Sequence, residues 1–380
     1  MVIKYIYKLK KLFRFEPGYF RFAGNPVKNF LRQGNIFAHL IDRIKFRLFP
    51  KFQIVSRFPT HLDIETASAC QMKCPMCYTT YMDKEKKGVM DYDLFTKIID
   101  EAAKEGVYSV KLSWRGEPLL NKRIIDMVKY AKSKKIKEVA MLSNAELMNS
   151  ELARQLVDSG LDWISFSIDG VYETYETIRA PAKFDETIEK VKFMTQYREQ
   201  SGKTKPMIRV QSILSALNDD TKTYLAIWKD IADQINFISD QARDFELKEM
   251  YHDPEYLCPT PWARMSIDIG GHVHQCNTDY DGKWILGDVA KQSIYDIWHG
   301  KDFKLLRHYF NTNTALQNCE ACNICSDNVV TESFEIQVGE KKIKAAKYKG
   351  IPDVVENGKV TIPTLKVKGA KQGVKVSQPS

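Results

Sequence analysis

The chain has 380 residues, 44% hydrophobic and 28% charged. That mixture excludes a collagen-like rod or an acidic disordered tail, and fits one domain of about 250 residues plus a smaller one. No uncharged apolar run reaches the ~18 residues of a membrane span and no signal-peptide pattern opens the chain, so the sequence reads as cytoplasmic. The net charge of +9 is uneven: residues 1–59 carry +11, residues 341–380 carry +8 and the middle carries −10. An acidic middle argues against nucleic acid as a partner.

In residues 1–59, Val2, Ile3, Tyr5, Ile6, Leu9, Leu12 and Phe13 share one helical face beside Lys4, Lys8, Lys11 and Arg14. Such a basic amphipathic segment either lies in a membrane interface, a peripheral contact, or caps the main domain. Phe30, Ile36, Phe37, Leu40 and Ile41 prolong the apolar supply and favour the cap.

Residues 60–245 alternate β-rich runs with helical periodicity. Strands are expected at His61–Thr66, Tyr108–Trp114, Glu138–Ser143, Trp163–Ile168, Met207–Ile213 and Ile235–Ser239, the first five each followed by a helix-like stretch. Parallel neighbours need crossover connections, so the pattern means an α/β parallel sheet, either a partial (β/α)6 TIM-like barrel or a doubly wound sheet. Polar residues just past four successive strands (Cys70 to Cys77, Gly116-Glu117, Ser143-Asn144 and Asp169-Gly170) favour the barrel, whose chemistry sits on that rim. Residues 246–330 form a small second domain, and residues 331–380, with Gly339, Gly350 and Gly358 between β-branched runs, read as hairpins and a Lys-rich tail.

The eight cysteines cluster at 70, 74 and 77, at 258 and 276, and at 319, 322 and 325. Spacings of two and three residues suit a metal in a reducing compartment better than loop-closing disulfides. Three thiolates leave one corner of a four-ligand metal or cluster open to a substrate. A zinc site built from Cys276, His272 or His274 with the C-terminal triplet is the structural alternative. No phosphate-binding glycine motif or nucleophile pattern occurs, which removes the hydrolase and nucleoside-triphosphate readings.

Cys70-x3-Cys74-x2-Cys77, Gly116-Glu117-Pro118, Ser143-Asn144-Ala145 and Ile164 to Gly170 with Arg179 together resemble the radical S-adenosylmethionine (SAM) superfamily. Arg115 stands where a second glycine is common. Cys258-x12-Gly271-x4-Cys276 followed by Cys319-x2-Cys322 resembles the SPASM/twitch extension, with Gly271 in a hairpin turn that delivers Cys276.

The resemblance implies a [4Fe-4S] cluster on Cys70, Cys74 and Cys77 and SAM held beside it by Met76, Gly116, Glu117, Asn144, Ser167 and Arg179. It also implies one auxiliary [4Fe-4S] cluster on Cys258, Cys276, Cys319 and Cys322. Cys325 is left as a substitute for Cys319, a hydrogen donor or a buried thiol. Reductive cleavage of SAM would give a 5′-deoxyadenosyl radical that abstracts hydrogen from substrate, with flavodoxin or ferredoxin as reductant. A single auxiliary cluster points to oxidation or epimerisation of a small sugar- or aminocyclitol-like molecule. A peptide- or protein-modifying maturase is the alternative, and a non-catalytic iron–sulfur or zinc protein a weaker one.

Overall fold

The computed structural model describes residues 19–22, 36–213, 216–217, 220–238, 252–253, 256, 258–323, 325–338, 341–348, 355–356 and 359–360. The expected helix at residues 1–14 and the Lys-rich tail beyond residue 360 lie outside these residues. Among the described residues no helix is long and apolar enough to cross a membrane.

Six parallel strands carry the fold: β2 (His61–Ile64), β3 (Ser109–Lys111), β4 (Glu138–Ser143), β5 (Trp163–Ser167), β6 (Met207–Ile213) and β7 (Gln234–Ile238). They neighbour one another in chain order without a reversal, all in parallel register. A doubly wound sheet reverses its order at a switch point, so the absence of one identifies the partial (β/α)6 barrel. Edge strands flank the six. β1 (Tyr19–Phe22) pairs antiparallel with β7; on the other side β8 (Arg264–Ile267) pairs parallel with β2 and leads into β9 (His272–His274) and β10 (Ile285–Asp288). The second domain therefore continues the barrel sheet.

Helices cover the outside because their apolar residues recur on one face. Helix α1 (Ile36–Phe52) precedes β2, and α2 (Tyr78–Tyr81) closes the first cysteine loop. In α3 (Tyr92–Lys104), Phe95, Ile98, Ile99 and Ala102 are buried, and the Asp91 carboxylate caps the first turn by accepting from Asp93 N and Leu94 N. α4 (Ile124–Ser133), α5 (Ser150–Asp158), α6 (Tyr172–Ile178), α7 (Phe184–Gln200) and α8 (Thr221–Trp228) follow the later strands. Between β7 and the C-terminal hairpin come α9 (Thr260–Ala263) and, after it, α10 (Ile294–Trp298), α11 (Lys301–Asn311), α12 (Ala315–Asn318) and α13 (Glu320–Asn323). The expected hairpin beyond residue 330 is present as β11 (Thr331–Val338) paired with β12 (Lys341–Tyr348).

Candidate cluster-binding sites

Parallel strands end on one side of the sheet, and the loops there converge. Gly116 crosses the cysteine loop so closely that a Cβ would lie 2.4 Å from Ala69 O and 2.5 Å from Ala67 O, a contact only glycine avoids. Glu117 N donates to Ala69 O at 2.9 Å and fixes the crossing. The Glu117 carboxylate, buried, accepts from Ser143 Oγ at 2.8 Å, Asn144 N at 2.7 Å and Leu119 N at 3.1 Å. It ties the rims after β3 and β4 together, and burial pushes its pKa up to about 7 despite these donors.

Each cysteine of the first loop meets at least one polar side chain. Asn144 Nδ2 donates to Cys70 Sγ at 3.6 Å, and Gln71 Nε2 holds Asn144 Oδ1 at 3.1 Å. Arg179 Nη1 donates to Cys74 Sγ at 3.8 Å, and its guanidinium is fixed by Asp169, itself held by Ile213 N at 2.9 Å. Thr79 Oγ1 lies 2.9 Å from Cys77 Sγ. Cys77 N donates to Cys74 O at 3.0 Å, a turn that brings residues three apart to one side. Burial pushes the Cys70 thiol up to about 12 and the Cys74 thiol upward, with Arg179 opposing the latter. Three sulfurs in one loop, Cys70 and Cys74 desolvated and each of the three beside a polar side chain, match the donor set of a cationic iron centre.

Met76 is half-buried against the core, and Ser167 ends β5. Arg179 is already engaged by Asp169 and Cys74, and Glu117 uses its side chain within the rim. These contacts place Arg179 and Glu117 at the cysteine loop and give each a role in building it.

The second site forms where β9 runs into the loop before β10. Gly271, at φ 91°, turns β8 into β9 as expected and brings Gln275 and Cys276 inward. Cys258, Cys276, Cys322 and Cys325 line one cavity with Pro261, Gln275, Leu306, Phe310 and Ala321. Cys322 N donates to Cys319 O at 2.9 Å and Cys325 N to Cys322 O at 3.4 Å, so successive turns stack this triplet. Cys319, buried, hydrogen-bonds Cys322 without lining the cavity. Burial pushes Cys258, Cys276 and Cys325 up to about 12, while the bond that Cys322 donates to Cys319 raises Cys322 and lowers Cys319. Gln275 Nε2 donates to Cys322 Sγ at 3.3 Å.

The histidines of the zinc alternative are directed elsewhere. His274 meets Asp279 O at 2.8 Å through Nδ1 and Asp268 at 3.2 Å through Nε2, and His272 Nδ1 meets the same Asp268 at 3.2 Å. Among the described residues no preformed group of three metal-ligating side chains is closed around one point.

Arg115 joins the two sites. It is buried, donates through Nε to Glu65 Oε1 at 2.7 Å and through Nη1 to Tyr280 O at 2.7 Å, while Trp114 Nε1 donates to Asn277 O at 2.8 Å. Tyr78 stacks on Tyr280 at 5.2 Å and bonds Asp281. The departure from glycine at 115 thus fastens the barrel rim to the loop after Cys276. The sequence reading missed Thr79 and Gln275; their one signal was a position beside or near a cysteine.

Three cysteines in a loop on the half-barrel rim, and a cavity lined by four more, are the donor types that iron–sulfur clusters use. Residues 64–202 match the Radical SAM superfamily and residues 258–326 match SPASM, an iron–sulfur cluster-binding domain. Residues 64–202 are thus a radical SAM catalytic domain and residues 258–326 a SPASM cluster-binding domain. The chain is 32% identical over 161 residues (42% of this chain, 44% of the relative) to the tungsten-containing aldehyde ferredoxin oxidoreductase cofactor-modifying protein of Pyrococcus furiosus. It is 32% identical over 100 residues (26% and 33%) to a probable GTP 3′,8-cyclase of Methanococcus maripaludis. The matches span less than half the length of these relatives. The fold is similar to Streptococcus suis SuiB bound to the precursor peptide SuiA, at TM-score 0.53 and 15% identity over 77% of this chain and 75% of that one. It is also similar to BtrN in complex with AdoMet and 2-DOIA, at TM-score 0.51 and 16% identity over 72% and 93%.

Proposed function

We propose that the protein reductively cleaves SAM at the Cys70, Cys74 and Cys77 loop and uses the resulting radical to modify a peptide or protein side chain. The observation that carries the SAM chemistry is the loop itself: three sulfurs, each with its own polar neighbour, on the rim where the parallel strands end. Cys70, Cys74 and Cys77 would hold a [4Fe-4S] cluster, which when bound and reduced by an external donor would supply one-electron cleavage of SAM to methionine and a 5′-deoxyadenosyl radical. Asn144 and Arg179 orient and screen the thiolates, Gly116 lets the next rim approach, and Glu117 holds the β3 and β4 rims in register. Met76, Ser167 and the backbone at Gly116 and Glu117 are the rim groups available to SAM.

The cavity geometry supports Cys258, Cys276, Cys322 and Cys325 as the ligands of one auxiliary cluster, with Cys325 replacing the expected Cys319. Cys319 then serves as a hydrogen-bond neighbour of Cys322.

For the substrate, the likeness to the SuiB–SuiA complex supports a peptide better than the small sugar-like molecule expected from the cysteine count. The small-molecule reading keeps one support, the likeness to BtrN over 93% of that chain. The test is SAM cleavage by the reduced, reconstituted protein in the presence of cell extract. Stimulation of 5′-deoxyadenosine formation that protease treatment of the extract removes supports a peptide; stimulation that survives protease and passes a small-pore filter refutes it. Cleavage unaffected by Cys74→Ala refutes the SAM assignment itself.

A further inference from the structure

Helix α1 is amphipathic in the reverse sense. Its single acid, Asp42, is only 4% exposed and faces the barrel, where Arg43 pairs with it and His61 Nε2 lies 3.3 Å away. Phe46 faces the same way, 5.1 Å from the His61 ring. Phe37, Leu40, Ile41 and Ile44, at spacing i, i+3, i+4 and i+7, point outward and are 79%, 49%, 54% and 46% exposed. The expectation that Phe37, Leu40 and Ile41 pack a cap onto the barrel is corrected here: these three are exposed, and the side on the barrel carries Asp42 with Phe46.

Phe52, Ile54 and Val55 prolong the apolar surface past the helix end, so seven of the thirteen exposed large apolar side chains in the described chain fall within residues 37–55. Single exposed apolar residues are ordinary, whereas a contiguous stripe marks a surface that leaves water on binding.

Charge selects the occupant. Arg43, Lys45, Arg47 and Lys51 lie on α1, its one acid is turned inward, and residues 1–59 carry +11. A second copy would set this cationic segment against itself, because a two-fold contact juxtaposes the same patch. An anionic lipid surface complements both the apolar stripe and the charge. We propose that α1 docks the protein on an anionic lipid surface, with Phe37, Leu40, Ile41 and Ile44 at the headgroup–acyl boundary and Lys45 among the headgroups.

The test is flotation of the full-length protein with vesicles of phosphatidylcholine alone and of phosphatidylcholine mixed with phosphatidylglycerol, at low and high salt. The expected result is binding to the phosphatidylglycerol vesicles that weakens with salt, and that falls at least about tenfold in Phe37→Ser/Ile41→Ser. Phe37→Trp keeps the contact and reads it directly, by a blue shift of its emission on those vesicles. Absence of binding by the unaltered protein, equal binding by Phe37→Ser/Ile41→Ser, or an unshifted Phe37→Trp emission overturns the proposal. So does a dimer in sedimentation velocity that the same double substitution dissociates while vesicle binding is absent.

Discussion

The two cysteine regions solve different problems with the same side chain. In the loop after β2, each of the three sulfurs meets a polar partner, Asn144, Arg179 or Thr79, on a rim beside other loops. In the C-terminal domain four sulfurs line one cavity with Pro261, Leu306, Phe310 and Ala321, where Gln275 donates to Cys322 and Thr260 bonds Cys258. On the proposed assignment, a cluster on the first set would keep a coordination position for a ligand from outside, and one on the second would have every position filled by protein. Number of thiolates and accessibility, more than cysteine spacing, separate a site for chemistry from a site for electrons or structure.

The largest effect that could break this contrast is on SAM cleavage. Cys74→Ala is expected to reduce 5′-deoxyadenosine formation to background, and Cys276→Ala to leave it measurable; equal loss in both erases the distinction. Iron content sharpens it next. The reconstituted protein should hold about eight irons, falling to about four in Cys325→Ala and staying near eight in Cys319→Ala. The opposite pattern restores the ligand set expected from sequence.

Arg115→Gly tests the fastening between the regions. It leaves the Glu65 carboxylate buried beside an empty space, and a cost of about 3–5 kcal/mol is expected in chemical unfolding of the apoprotein. A change within error means that the pair contributes nothing.

Glu117 gives a pH signature. Its folded-state pKa is raised to about 7 from the ordinary 4.5, so between those values the unfolded chain has lost a proton that the native state retains. Stability contributed by this group is therefore present below about pH 4.5 and is lost as pH rises towards 7. Glu117→Gln should flatten that slope in the apoprotein; an unaltered slope assigns it elsewhere. The smallest expected effect is redox tuning: Gln275→Leu removes a donor to Cys322 and should move the auxiliary cluster's midpoint potential downward in an EPR-monitored titration, leaving the other cluster unmoved.

Much of this was legible in the sequence. The six parallel strands were legible where a strand such as Glu138–Ser143 is buried along Val139, Ala140 and Met141, and less plainly at His61–Ile64, whose buried run includes His61 and Asp63. β8, four residues reading Arg-Met-Ser-Ile, was not, since its place beside β2 is decided by long-range pairing alone. The three cysteine groups were visible, but equal spacing of 319, 322 and 325 could not say which two face Cys258 and Cys276. The cavity of the folded chain, lined by Cys322 and Cys325, supports those two. Likewise, the apolar residues of α1 were plain, while the side that faces the barrel depends on Asp42 finding Arg43 and His61.

The most direct test of the central contrast is EPR of the reduced protein with and without SAM, in Cys74→Ala and in Cys276→Ala. SAM is expected to alter the spectrum of the cluster that remains in Cys276→Ala and to leave the one in Cys74→Ala unchanged. A SAM-induced change in Cys74→Ala would place the open iron in the C-terminal domain and contradict the assignment.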